Sequence, residues 1–309
     1  MPTYTGNNAS LLRTRIAPTP SGYLHIGNAF SFVLTALICY SQKGELRLRI
    51  DDLDEQRKRP EYVEDIFDSL DWLGIPWQVG PSGPGDFEAN FAQRHRRDLY
   101  EGHLTQLSFN EEVYRCICSR KILQQQLKRG ILTCPCLLEK QNFDANAVPV
   151  AWRMPTPPEV QVEWRDLYLG MQRIRPVEGT PNFVVCKKDG FPAYQLTSLV
   201  DDSLYQTNLV VRGADLLPST AAQLYLADRL ALTPFPKASF VHHPLLVDSR
   251  GEKLSKSTGG RSLLSIRSKH RQPEILYRYF SRLLKLPQRG NTFEELLSIF
   301  PSVYPPIER

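Results

Sequence analysis

Residues 13–28, RTRIAPTPSGYLHIGN, place a basic residue, two prolines, a Ser-Gly pair and a His-x-Gly step directly ahead of an apolar run. Pro18 and Pro20 fit neither a helix interior nor a central strand, so this stretch is loop. Ala29 to Ile38 then reads as a mostly apolar helix. Strand, rigid loop and helix N-terminus together form the place where α/β proteins hold phosphate, through free N–H groups and the helix dipole. Taken alone, the loop fits a plain turn in an α/β sheet as well. Residues 250–257, RGEKLSKS, supply a complement: Lys253 and Lys256 stand three apart, with Ser255 between them. Mobile ammonium groups in a short loop suit a triphosphate, where charge develops on a leaving pyrophosphate. Solvated surface is the other reading of such a loop. GxxxxGK[ST] occurs nowhere, so this is not a P-loop.

Four of the six cysteines form Cys116-Ile-Cys118 and Cys134-Pro-Cys136. Thiolate pairs that converge predict one structural, tetrahedral zinc site, with unligated buried cysteines as the alternative. The single-residue gaps are tighter than in ordinary zinc ribbons. A thioredoxin-type pair needs C-x-x-C, which is absent. Cys39 and Cys186 stand alone and read as core thiols.

The elements around these residues follow from periodicity. ELRLRI at 45–50 alternates, with Leu46, Leu48 and Ile50 on one face, and runs as a strand into the acidic Asp51-Asp52-Leu53-Asp54-Glu55. Ligands of parallel α/β sheets bind beyond the carboxyl ends of strands, so the acidic cluster is a candidate site, with a solvated loop as the plain reading. Pro60 starts a helix whose apolar face is Val63, Ile66, Phe67, Leu70 and Leu73, and Gly74 stops it. Residues 91–110 read as helical and carry a short basic run, Arg94 to Arg97. Residues 141–190 are short and strand-like, and α/β character returns from 191. A helix is expected near 219–231, and another after Lys256 with Ile275, Leu276, Tyr279, Phe280 and Leu283 on one face. The pattern is that of a doubly wound α/β protein.

The 309 residues suffice for a large core in one to three domains. A net charge of +5 permits an acidic partner without demanding one. MPTYTGNNAS has no basic run followed by an apolar core, so no signal peptide is expected. No apolar run approaches the roughly 20 residues of a membrane span.

His25-x-Gly27 together with Lys253-Leu-Ser-Lys-Ser resembles the two signature motifs of class I aminoacyl-tRNA synthetases. With RTRIAPTPSG ahead of the first motif, the chain resembles the glutamyl branch, over nearly all of its length up to about residue 285. That resemblance implies an α/β, Rossmann-like catalytic domain with a zinc-bearing insertion and a short helical C-terminal region. Residues 1–111 would form the first half of the catalytic domain, 112–190 the insertion, 191–250 the second half, and 251–309 the KLSKS loop with the helical end. Arg15, Ala17 and Thr19 match the family's amino-acid-binding segment, and Tyr194 and Arg212 match positions lining its pocket. Asp51 falls where the family usually has glutamate.

The chemistry of the substrate agrees with these matches. Glutamate carries two carboxylates and one ammonium. Arg15 and Arg212 can each clamp a carboxylate, Asp51 can pair with the ammonium, and Tyr194 can donate a hydrogen bond. A surface salt bridge is the other reading of Arg212. By the same resemblance ATP would meet His25, Gly27, Asn28, Lys253, Ser255 and Lys256, with Mg²⁺ on the triphosphate. His25 and Lys256 would stabilise charge on the α-phosphate and pyrophosphate. Asn28 replaces the last histidine of the family's His-x-Gly-His signature. The zinc ligands of short relatives are a Cys-x-Cys pair, a tyrosine and a cysteine. Here Cys116, Cys118 and Cys136 are joined by Cys134.

YQL at 194–196 and RGADLL at 212–217 differ from the YNF and RGEDH of full-length glutamyl-tRNA synthetases. These variants, and the few residues after KLSKS, resemble the short glutamyl-queuosine tRNA(Asp) synthetase family. The resemblance implies activation of L-glutamate without RNA and esterification of the queuosine at position 34 of tRNA(Asp). It also implies a cytoplasmic protein that works as a monomer, away from membranes. Arg94, Arg96 or Arg97 would rim a pocket for the anticodon loop, or be solvated helix residues. A truncated glutamyl-tRNA synthetase charging the tRNA 3′ end, and a non-catalytic RNA- or nucleotide-binding paralogue, are the alternatives.

Overall fold

The computed structural model describes residues 11–131, 133–138, 149–246 and 262–301. Strands β1 (Arg13–Ile16) and β2 (Glu45–Leu48) run parallel, from Arg13 opposite Glu45 to Ile16 opposite Leu48. The crossover between them is α1 (Ile26–Ser41), which buries ten residues from Ala29 to Cys39. A helix this apolar around its circumference belongs inside a core. β2 ends two residues earlier than its alternation predicts. The chain still follows β1, because the Arg49 N–H donates to the Ile16 carbonyl and the Asp51 N–H to that of Pro18. α2 (Pro60–Leu73) has the expected limits: proline in its first turn, and Gly74 at φ 65°, in the left-handed region that favours glycine.

Two further strands join from the second half. β8 (Leu209–Gly213) and β9 (Ser239–His243) are parallel and bracket the Leu217–Arg229 helix. A hairpin of β5 (Val162–Asp166) and β6 (Gly170–Ile174) extends this sheet in the order β6-β5-β9-β8. β1 lies against β8: the Thr14 hydroxyl donates to the Leu209 carbonyl at 2.8 Å and the Asn208 N–H to that of Arg13 at 3.0 Å. The carboxyl ends of β1, β8 and β9 therefore open on one edge, together with the Arg49–Asp51 stretch after β2. A separate antiparallel sheet of β3 (Tyr114–Cys116), β4 (Ala151–Arg153) and β7 (Val184–Cys186) carries Cys116, with Cys118 just past the end of β3.

The Glu274–Leu283 helix forms as expected, with its buried face only partly the expected one. Leu276, Tyr277 and Phe280 are buried, whereas Ile275 is 54% exposed. Phe280 meets Phe30 of α1 edge-on and the Tyr277 hydroxyl donates to the Leu73 carbonyl at the end of α2, so contacts with both helices set the orientation. Among the described residues no helix is long and apolar enough to cross a membrane.

Candidate active site

A cavity of about 360 Å³ opens where the strand ends converge. Its walls include Arg15, Ala17, Thr19, His25, Gly27, Asn28, Asp51, Tyr194 and Arg212, so the described residues assigned to glutamate and ATP share one space. Lys253, Ser255 and Lys256 lie outside the described residues.

The loop is held from two sides. Asp65 of α2, itself buried, accepts from the Leu24 N–H at 2.9 Å, and Pro18 accepts from Asp51. His25 then caps α1. Its Nδ1 accepts from the Asn28 N–H at 3.3 Å, while the Asn28 side-chain oxygen accepts from the His25 N–H at 3.1 Å. This reciprocal cap gives Asn28 a structural reason to stand there. It also leaves the proton of a neutral His25 ring on Nε2. Gly27 lets the ring fold back, since a Cβ there would lie 3.0 Å from His25 Cε1.

The charges beneath the loop form a buried network. Arg15 donates to Asp202 through Nε at 2.8 Å and Nη2 at 3.3 Å. Arg49 donates to Asp51 at 2.7 and 3.1 Å, to Asp202 at 2.7 Å and to Ser198 at 3.2 Å. Behind them Asp201 accepts from Arg96 at 2.8 and 2.9 Å and from the Tyr100 hydroxyl at 2.8 Å. Burial is the largest influence on both Asp51 and Asp202, and it pushes their carboxyls up. At Asp51 it prevails over Arg49, whereas at Asp202 the adjacent Arg15 and Arg49 outweigh it and hold the carboxyl below its usual value. Arg15 and Asp51 are thus already oriented by protein charges.

Arg212 differs. It is 5% exposed, and its bonds go to neutral atoms: Gln223 Oε1 at 3.0 Å from both Nη atoms, Thr220 Oγ1 at 2.6 Å and His242 Nε2 at 3.4 Å. Among the described residues it makes no ion pair. Burial depresses the guanidinium below its usual value, and Arg15 nearby adds to this. A guanidinium does not shed its proton in a protein. The Asp202 carboxylate opposes the depression without pairing directly, so a buried cation with neutral hydrogen-bond partners faces the cavity, where an anion would complete it. Tyr194, 41% exposed, stands beside it.

The four cysteines converge as their spacing predicts. Cys116–Cys134 and Cys118–Cys136 are 3.6 Å apart at sulfur, Cys118–Cys134 is 3.9 Å, and all four sulfurs fall within 4.8 Å. Four thiolates around zinc at the usual bond length lie about 3.8 Å apart, so this set fits a tetrahedral ion. The Cys134 thiol is pushed down to about 5, first by the hydrogen bond from Cys116.

Several cavity and network residues escape sequence reasoning: Arg49, Ser198, Asp201, Asp202, Asp215 and His243. The signal for two of them is Asp201-Asp202 at the end of the apolar stretch LTSLV, where a solvated pair is not expected. The basic run behaves differently from a free rim. Arg96 is spent on Asp201, Arg94 pairs with Glu88 at 2.6 Å, and Arg97 with Glu101 at 2.6 Å; none lines the cavity.

Residues 11–300 match the family described as tRNA synthetases class I (E and Q), catalytic domain, and the chain belongs to it. Among its relatives, the Glutamyl-Q tRNA(Asp) synthetase of Symbiobacterium thermophilum is 35% identical over 305 residues, which cover 94% of this chain and 92% of that protein. The Glutamate--tRNA ligase 2 of Nitrosococcus oceani is 33% identical over 287 residues, 89% of this chain. The chain spans only 60% of that ligase's length. The crystal structure of glutamate-tRNA synthetase from Elizabethkingia anophelis superimposes with a TM-score of 0.74 at 23% identity, covering 95% of this chain and 66% of that one. This likeness establishes the class I synthetase fold, an α/β architecture.

Proposed function

We propose that this protein activates L-glutamate with ATP to glutamyl-adenylate and transfers the glutamyl group to the queuosine at position 34 of tRNA(Asp). The observation that carries the first half is the cavity's charge pattern. Arg212 offers a buried cation with no direct ion pair among the described residues, Arg15 a second cation held by Asp202, Asp51 an anion and Tyr194 a hydroxyl, which complements two carboxylates and an ammonium. One substrate carboxylate oxygen attacks the α-phosphorus of ATP and pyrophosphate leaves. A carboxylate is already a nucleophile, so the protein's task is positioning and charge stabilisation. Ala17 and Thr19 line the amino-acid side of the cavity. His25, Gly27 and Asn28 at the head of α1 serve ATP, with Lys253, Ser255 and Lys256 from the second motif and Mg²⁺ on the phosphates.

The acceptor rests on the Symbiobacterium relative, which aligns over 92% of its length, and on the YQL and RGADLL variants. The resemblance to glutamate–tRNA ligases supports a second reading, charging of a tRNA 3′ end. Zinc on Cys116, Cys118, Cys134 and Cys136 is structural in this account, within an insertion spanning 112–190. The enzyme works as a cytoplasmic monomer. Glutamate-dependent pyrophosphate–ATP exchange in the absence of RNA tests the activation step. Exchange is expected with glutamate. Its absence under conditions where added tRNA restores it would overturn RNA-independent activation, and its absence under both would favour a non-catalytic paralogue.

A further inference from the structure

Behind Arg212 lies a second layer, Asp166, Thr220 and His242, which does not line the cavity. Asp166, at the end of β5, and His242, in β9, are both fully buried, and His242 Nδ1 meets Asp166 Oδ2 at 2.6 Å. The other ring nitrogen, Nε2, faces Thr220 Oγ1 at 2.7 Å and Arg212 Nε at 3.4 Å. Thr220 in turn accepts from Arg212 Nη2 at 2.6 Å. Arg212 Nε carries a hydrogen, so Nε2 must be a bare acceptor for this arrangement to be favourable, and the ring proton must sit on Nδ1.

The surroundings of Asp166 enforce that choice. Its Oδ1 accepts from the Tyr168 and Leu169 N–H groups at 2.9 and 2.8 Å, and its Oδ2 accepts from the His242 N–H at 3.1 Å as well as from the ring. Every partner of this carboxylate is a donor.

We propose that Asp166 and His242 are positioning residues that lock the Nδ1–H tautomer and thereby hold the Arg212 guanidinium in its cavity-facing orientation. The proposal rests on the reading of Arg212 as a partner of a glutamate carboxylate, although its tautomer claim does not. Asp166→Asn is the informative change. The amide oxygen is claimed by the two turn N–H groups, so the NH₂ is directed at His242 Nδ1. The ring then takes its proton on Nε2, where the N–H opposes that of Arg212. The volume barely changes, but the acceptor is lost.

Nitrogen-15 spectra of histidine-labelled full-length protein should show a His242 with bare Nε2 in the wild type and with protonated Nε2 in Asp166→Asn. Exchange kinetics of Asp166→Asn should show a glutamate KM raised roughly 10-fold or more, with the KM for ATP within about twofold of wild type. His242→Leu should behave alike. His242→Gln, whose amide oxygen can take the place of Nε2, should recover much of the loss. A wild-type ring protonated on Nε2, or a glutamate KM unmoved in Asp166→Asn, would overturn the proposal, as would equal defects in His242→Gln and His242→Leu. Should His242→Leu fail to fold, the spectra and Asp166→Asn decide. Wild-type protein without glutamate-dependent exchange would instead refute the proposed activation, and the spectra would still judge the tautomer.

Discussion

Arg49 donates to Asp51 and Asp202 at once, with its side chain 3% exposed, and the Asp202 carboxylate it holds is shared with Arg15. Removing a guanidinium at such a point leaves two buried carboxylates short of a partner. Breaking a buried pair from one side costs about 3–5 kcal/mol. Arg49→Met is therefore expected to lose stability of that order in urea unfolding and to weaken glutamate binding, because Asp51 and Arg15 lose their shared restraint. A loss under about 1 kcal/mol would show that the network is not a unit. At this scale the sequence is a partial guide. Arg15, Asp51, Tyr194 and Arg212 all line the cavity. Asp51 and Arg212 are legible as candidate site residues because each stands at a strand end, and Arg15 and Tyr194 through the resemblance to the family. Arg49 is not, because its meaning depends on Asp202, distant in the chain and brought close only by packing of β1 against β8. Arg94, Arg96 and Arg97 read as a basic run, but a run of charge says nothing about the acids that neutralise it.

Among the elements, α1 and α2 are the most legible. The near-continuous apolar run of α1, the apolar stripe of α2, the proline at its start and Gly74 at its end are local signals, and local signals fix local structure. The helix after the second motif is legible as a helix and in part of its buried face, Leu276 and Phe280, but not in Tyr277, which is turned inward by contact with the end of α2. The cysteine cluster is the element with least apolar support. Its buried group comprises Cys116, Cys134 and Cys136, with Tyr114, Cys118, Leu123 and Leu137 packed against it. A cluster with so little apolar support is where a bound metal would add most to folding. Purified protein is expected to contain about one zinc per chain, a structural tetrahedral ion. Cys116→Ser, or chelation, should sharply increase amide exchange around β3 and residues 133–138, while α1 and α2 stay protected. Zinc-free protein with unchanged exchange in that segment would contradict a structural metal.

For the whole molecule, buried titratable groups set the acid limit. His242 and His243 are both held below the usual value of 6.5, chiefly by burial. Their folded forms stay neutral where the unfolded chain takes up protons, so stability is present above the unfolded value and falls as pH drops through it. Asp202 and Asp166, held low against the opposing push of burial, add a further loss at more acid pH, and Asp51, held high, opposes it. The melting temperature should be level above about pH 7 and decline below about pH 6.5. A level profile down to about pH 5 would show that these histidines titrate normally in the fold.

The destination of the activated glutamate is the most direct test of the account. Full-length protein, ATP, Mg²⁺ and labelled glutamate would be incubated with tRNA(Asp) containing queuosine and with the same tRNA carrying guanine at position 34, followed by nuclease mapping. The account predicts label in the anticodon-loop fragment of the queuosine tRNA alone. Label on the terminal adenosine, or equal labelling of both tRNAs, would contradict it and assign the chain to 3′-end charging.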